Sequence, residues 1–251
     1  MKEVRSSVSE RYVSPVIRYE FTLRSPTPTY LAIKRALDVV VASVGLVAFA
    51  PLLLAVAVLV RLSGRPILFR QTRIGLGGQP FTVLKFRSMH VTADPYARKP
   101  EDAAASITRA GRLIRTLGLD ELPQLLNVLR GDMTLVGPRP EMPFVVDGYD
   151  RIQRMRLEVK PGVTGIWQLS PVRKRPIHDN IEYDLFYLAH RTLLMDLWII
   201  ARTPVLLLFG KHLVLDRRLA HKWQVPHDEV RGPRVVLDLT DTSAELVSCT
   251  A

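Results

Sequence analysis

The stretch from Val39 to Val60 constrains this chain more than any other, because it runs for roughly 22 residues without a charge. As a helix rising ~1.5 Å per residue, such a run is long enough to cross a ~30 Å hydrocarbon layer. Pro51 stands near its middle, where a proline removes an intrahelical hydrogen bond and kinks or breaks the helix. Lys34 and Arg35 flank one end and Arg61 and Arg65 the other, so the positive-inside rule assigns no orientation to a simple crossing. Cations at both ends and a broken centre fit a helix that dips into one leaflet and returns to the side it came from. A kinked span and a uniformly apolar core helix are the alternatives the pattern leaves open. The run starts late and no small-residue cleavage site follows it, which argues against a cleaved signal peptide. Asp38, three residues after Arg35, is expected to pair with it, since an unpaired carboxylate at that depth is costly.

Composition narrows the classes that remain. A chain of 251 residues, 47% of them hydrophobic, builds one sizeable core with appendages. Its one cysteine, Cys249, rules out a disulfide framework, zinc spacing and a cysteine nucleophile with a nearby base, and suits a reducing cytoplasm. A formal net charge of +11 calls for an anionic partner: nucleic acid, an acidic membrane surface or a phosphorylated substrate. No zinc spacing, recognition helix or aromatic-basic RNA motif is present, so nucleic acid is set aside.

The chemistry concentrates at Asp120 and Glu121. Leu122, Leu125, Leu126 and Leu129 recur at helical spacing, Pro123 suits a first turn and Gly131 the residue past the last, so a short buried helix is predicted to begin at Asp120. Carboxylates there meet the positive end of a helix, a place also hospitable to phosphate. A plain helix cap is the alternative role for Asp120. Arg112 and Arg115 lie three apart on a predicted preceding helix, and Gly137-Pro138-Arg139-Pro140 follows. The flanking prolines hold Arg139 on a stiff turn, from which its fork can grip a phosphate.

Ile67 to Arg73 and Phe81 to Arg87 read as a hairpin around Gly75 to Gly78, with Phe81, Val83 and Lys85 on one face. These glycines do not lead from a strand into a helix, which excludes a dinucleotide or P-loop reading. Met89 to Ser106 is expected to be a loop. Arg191 to Gly210 is apolar but carries Asp196 and Arg202 and is interrupted at Pro204, so it reads as helices lying in a membrane interface with Trp198 at headgroup level, or as a core helix.

The block Arg115 to Pro140 resembles the signature of the bacterial sugar transferases, the monotopic polyprenyl-phosphate glycosyl-1-phosphate transferases, in their short form. Other segments agree in order: Lys34-Arg35-Ala36-Leu37-Asp38, Gly64-Arg65-Pro66, Lys85-Phe86-Arg87-Ser88-Met89, Lys160-Pro161-Gly162-Val163-Thr164-Gly165, and Asp184 to Asp196. The resemblance covers roughly residues 30 to 210. It implies an α+β, mostly helical fold with a re-entrant membrane helix broken at Pro51, a small β-hairpin, catalytic helices and interfacial amphipathic helices. Family members break that helix at Ser-Pro, whereas this chain has Ala50-Pro51, so the serine hydroxyl that could satisfy the freed carbonyl is missing. The organisation expected is an N-terminal arm (1–29), the membrane helix (30–62), a cytoplasmic catalytic domain (63–213) and a C-terminal extension (214–251).

The activity implied is transfer of a sugar-1-phosphate from a UDP-sugar to a polyprenyl phosphate, at the cytoplasmic face of the bacterial inner membrane, with UMP released. By resemblance Asp120 is the nucleophile, Glu121 with Asp120 holds Mg²⁺, and Lys85, Arg87, Arg115 and Arg139 neutralise phosphates. After Gly165-Ile-Trp-Gln168 the family usually has Gly-Arg; here Leu169 to Pro176 intervenes, and Arg173 is the nearest candidate for the nucleotide-binding guanidinium. Membrane lipids are expected partners, and a homodimer is left open. A membrane scaffold without catalysis is the alternative: it would need the anchor but not the dyad, Lys85 or Arg139.

Overall fold

The computed structural model describes residues 18–22, 26–90, 106–171, 173, 176–210, 234–238 and 246–247. Most of the loop expected at Met89 to Ser106 lies outside them. The apolar run forms two helices, α1 (Pro28–Ala48) and α2 (Ala50–Leu62), bent by 64° at the break between them. The Thr27 hydroxyl accepts from the Tyr30 N–H at the start of α1. Pro51 occupies the first turn of α2, where its missing N–H needs no partner, so the chain turns at Phe49 rather than at the proline itself. No single helix among the described residues is long and apolar enough to cross a membrane. Asp38, Ala42, Val56 and Val60 are buried, whereas Val40, Val44, Val47, Leu54, Val58 and Leu62 stand exposed. A core helix would hide such side chains.

β2 (Leu68–Ile74) and β3 (Pro80–Phe86) form the expected hairpin, shifted by one residue, with Phe69 opposite Lys85. α3 (Arg109–Thr116), capped by Thr108, and α4 (Gln124–Arg130) bracket the carboxylate pair. β4 (Thr134–Val136) runs parallel to β5 (Gly162–Thr164), and the short helices α5 (Pro143–Val146) and α6 (Arg151–Arg154) lie on the connection between them. α7 (Ile166–Leu169) and α8 (Glu182–His190) follow, and α8 is buried from Tyr183 to Ala189, making it the centre of the core. In α9 (Leu193–Phe209) Pro204 lies inside an unbroken helix, contrary to the expected interruption, and the Thr203 hydroxyl donates to the Ile199 carbonyl (2.9 Å) one turn back. Met195, Asp196, Ile199 and Leu206 face inward, while Leu194, Leu197, Leu208 and Phe209 are exposed. β1 (Arg18–Thr22), β6 (Arg234–Asp238) and β7 (Leu246–Val247) form one antiparallel sheet, so strands from both flanks pair with each other, and β1 lies against α8.

Polar contacts from successive residues fasten α1 to this body. Lys34 donates to Asp196 (2.8 Å) and to the Val136 carbonyl (3.1 Å). Arg35 donates to the Val128 and Leu129 carbonyls (2.6 and 2.9 Å), the last turn of α4. Asp38 is not paired with Arg35 as expected. Its carboxylate accepts from the Thr134 hydroxyl (2.7 Å) and the Leu135 N–H (3.0 Å), because burial against the start of β4 offers hydrogen-bond donors that the helix surface does not.

Candidate active site

The carboxylate pair is held by a turn rather than by the first turn of an α-helix. Gly118 adopts a left-handed conformation (φ 68°) that favours glycine, and Leu119 to Glu121 form one turn of 3₁₀ helix. The α-helix begins only at Gln124, because Pro123, helical in φ and ψ, lacks the N–H that would extend the ladder upstream. The expected helix starting at Asp120 is therefore replaced by a 3₁₀ turn feeding a helix of 7 residues, whose own field is small. Side-chain cations set the electrostatics instead.

Lys85 Nζ and Arg139 Nη2 both donate to the same Glu121 oxygen, Oε1, at 2.6 and 2.9 Å. Burial alone would raise the Glu121 carboxyl, but Arg139 and Lys85 overcome it and hold the group well below the usual carboxylate range. Burial lowers Lys85, and the Glu121 charge offsets part of that loss. The Glu121 charge draws the Arg139 guanidinium further up. Asp120 differs. It is buried, its carboxylate meets no hydrogen-bond donor among the described residues, and burial together with the neighbouring Glu121 charge pushes it up against the pull of Lys85, Arg115 and Arg139. One carboxylate is thus held in its ionised form by two cations, while the other is raised and has no bonded partner among the described residues.

Two features fix these groups in place. Asn127 of α4, fully buried, accepts from the Leu84 N–H (3.0 Å) and donates to the Thr82 carbonyl (2.7 Å), imitating a further strand along β3 beside Lys85. Behind Arg139, Arg156 donates to the Arg139 carbonyl (2.6 Å), pairs with Asp184 (2.8 Å) and bonds the Tyr149 hydroxyl. The Arg139 guanidinium lies 5.9 Å from the Trp167 ring centroid, within cation–π range. Underneath, Gly137, Gly162 and Gly165 pack backbone to backbone. A Cβ on Gly162 would meet the Gly137 nitrogen at 2.1 Å, and one on Gly165 the Gly137 oxygen at 2.4 Å. Asn127 and Arg156 were not legible as site residues, since their partners lie on other elements and no spacing announces them.

The structure brings Asp120, Glu121, Lys85 and Arg139 together, with exposed Arg115 on α3 near enough to act on the Asp120 charge. Arg87 stands apart. It is buried, and its guanidinium donates to the Val60 carbonyl (3.3 Å) at the end of α2. Arg173 lies on a turn closed by its N–H on the Ser170 carbonyl, with no side-chain bond to the dyad among the described residues. Among the described residues no three His, Cys, Asp or Glu side chains gather around one point. A divalent ion would therefore rely on the free oxygens of Asp120 and Glu121 together with substrate phosphates and water, a donor set that fits Mg²⁺.

Comparison with known proteins bears on what this site does. Residues 29–210 match the family described as bacterial sugar transferase. The chain is 39% identical over 193 residues to the UDP-N-acetylgalactosamine-undecaprenyl-phosphate N-acetylgalactosaminephosphotransferase of Aeromonas hydrophila, covering 74% of this chain but only 46% of that protein. It is 45% identical over 180 residues to the UDP-glucose:undecaprenyl-phosphate glucose-1-phosphate transferase of Caulobacter vibrioides, covering 68% of this chain and 67% of that one. The exopolysaccharide production protein ExoY of Sinorhizobium fredii is 38% identical over 188 residues, covering 68% and 83%.

Proposed function

Because this chain belongs to the bacterial sugar transferase family, we propose that it is a phosphoglycosyl transferase moving a sugar-1-phosphate from a UDP-sugar to a polyprenyl phosphate, as the names of its Aeromonas and Caulobacter relatives describe. In the first half-reaction an Asp120 oxygen attacks the phosphorus that carries the sugar. The bond from that phosphorus to the UMP oxygen breaks, UMP departs with the electron pair, and an aspartyl phosphosugar remains. In the second, an oxygen of the polyprenyl phosphate attacks the same phosphorus, the acyl phosphate bond breaks, and the Asp120 carboxylate is restored.

The single observation that carries this reading is the division of labour in the dyad: Glu121 gripped by Lys85 and Arg139, Asp120 buried beside it without a donor among the described residues. Lys85, Arg139 and Arg115 would offset the negative charge of the nucleotide phosphates, and Arg139 is suited to a bidentate grip. Asp120 and Glu121 would hold Mg²⁺, which, when bound, neutralises pyrophosphate charge and polarises the leaving group. The bent pair α1–α2, apolar and largely exposed, would dip into the cytoplasmic leaflet of the inner membrane and bring the lipid phosphate to the same aspartate.

Membranes carrying the protein, given polyprenyl phosphate and a panel of UDP-sugars, test the reading. UMP is expected for at least one sugar, with its release abolished by chelation and restored by Mg²⁺. Acid-quenched enzyme should carry the phosphosugar on Asp120. Turnover with that mass on another side chain would remove Asp120 from the role, and absence of UMP across the panel would leave the scaffold reading.

A further inference from the structure

Arg73, near the end of β2, stands outside the dyad and its cations, yet it reaches the turn that carries Arg139. Its guanidinium is set by Gln71, which is buried two residues earlier on the same face of the strand: Nε and Nη2 both donate to the Gln71 side-chain oxygen, at 3.0 and 2.6 Å. That leaves Nη1 turned to the segment after Arg139, where it donates to the Pro140 carbonyl (3.3 Å) and lies 3.7 Å from the Glu141 carboxylate. The main chain follows the same path, since Ile74 and Glu141 form an antiparallel β-bridge in which the Ile74 N–H donates to the Glu141 carbonyl (2.9 Å). Phe69, opposite Lys85, and Arg73, opposite Phe81, lie on one face of the hairpin. One hairpin therefore carries Lys85 at one end and grips the Arg139 turn at the other.

Glu141 gives this contact its importance. It lines one small cavity together with Arg139, Tyr149 and Arg156, so its carboxylate competes for the same guanidinium as Glu121. The carboxylate charges that draw Arg139 up are Glu121 first, then Glu141, and only then Asp120. With a side chain just 15% exposed, Glu141 gains from pairing with whichever cation reaches it, and its ion pair among the described residues is with Arg73. Arg156, the other cation on the cavity, is already matched by Asp184 (2.8 Å) and bonded to Tyr149. Stripped of Arg73, Glu141 would have Arg139 to turn to. From this we infer that Arg73 is a positioning residue for the transfer: by holding Glu141 and the Pro140 carbonyl, it keeps Arg139 directed at Glu121 and the donor phosphates instead of at the carboxylate two residues on. The inference rests on the phosphate-binding role proposed for Arg139.

The test measures UMP release by membranes carrying the full chain, given polyprenyl phosphate and UDP-glucose, UDP-galactose or their N-acetylated forms. Arg73→Met is expected to lower kcat/KM by about tenfold or more, as for loss of one charge-assisted hydrogen bond to phosphate. Glu141→Gln alone should stay within about threefold of wild type, and Arg73→Met combined with Glu141→Gln should return to that range, because no rival carboxylate remains. A role confined to bracing the fold would leave the double variant as impaired as the single one, since the contacts to Gln71 and Pro140 are still missing. Arg73→Lys, which keeps a cation for Glu141 and gives up the fork on Gln71, should lose less than Arg73→Met. Undiminished kcat/KM in Arg73→Met, an equal loss in Arg73→Lys, or a double variant that melts cooperatively in detergent yet stays below the wild-type range would each overturn the assignment. Where Arg73→Met does not melt cooperatively, the double variant and Arg73→Lys decide by the same criteria. Wild-type membranes that release no UMP refute the proposed function and this inference with it, whereas wild-type turnover with any of those failures refutes the inference alone.

Discussion

At the scale of single residues, the candidate site gives two adjacent carboxylates opposite environments. In the proposed reaction Asp120 attacks phosphorus in its ionised form, and burial with the Glu121 charge raises it, so the acid limb of kcat/KM is expected above the ordinary carboxylate range. Glu121→Gln removes the like charge and leaves Lys85 and Arg139 facing Asp120 unopposed. Residual activity of that variant should therefore show its acid limb at lower pH, and an unmoved or upward-shifted limb in the pH–rate profile would contradict the assignment. The same shift has a sign for stability. A carboxyl whose folded value is raised destabilises the fold as pH climbs from its unfolded value through its folded one, and the penalty persists at neutral pH. Asp120→Asn should consequently end UMP release while raising Tm, by roughly 2–4 °C for each ~1 kcal/mol relieved. A fall in Tm by calorimetry would show that the Asp120 charge is satisfied after all.

Among the elements, the break between α1 and α2 carries the sharpest expectation. If the pair enters and leaves by one face, Thr29→Cys and Ser63→Cys, each made in a Cys249→Ser background, should react with an impermeant maleimide from the same side of sealed vesicles; opposite-side labelling would establish a crossing. Helix and strand boundaries in this region were readable in the sequence because they follow from local rules. The alternation through Phe81, Val83 and Lys85 and the glycine at 131 gave β3 and the end of α4 nearly in place, whereas the periodic leucines after Asp120 gave α4 with a start that belongs to the 3₁₀ turn. What periodicity does not carry is who meets whom across the fold. Asp38 was assigned to Arg35 three residues away, yet its partners lie on β4, some 96 residues on. Pro204 was taken to interrupt its helix, but α9 runs through it. The 3₁₀ turn at the dyad depends on Gly118 adopting a positive φ, which the sequence permits without demanding. Lys85, Glu121 and Arg139 were legible as charged residues in suggestive company; that two of them share one oxygen of the third was not.

Over the whole molecule, the bent helix pair and the candidate site form one mechanical unit. α1 is fixed through Lys34 to Asp196 of α9, and through Arg35 to the end of α4, the helix that begins just after the dyad. Asp196 is almost completely buried, so Lys34→Met should leave an uncompensated charge and destabilise the protein by about 3–5 kcal/mol. Adding Asp196→Asn to that variant should return part of the loss, because the stranded charge is gone, and additive losses in urea melts of the detergent-solubilised proteins would argue against direct coupling.

The three glycines packed beneath Arg139 have a bearing on how a protein of this kind can be altered. Where main chain rests on main chain, substitution has no small step available: even a methyl group at Gly162 or Gly165 would collide with atoms that cannot swing aside. Variation, in the laboratory or by drift, is thereby channelled away from this floor and toward positions where no main chain lies in the way.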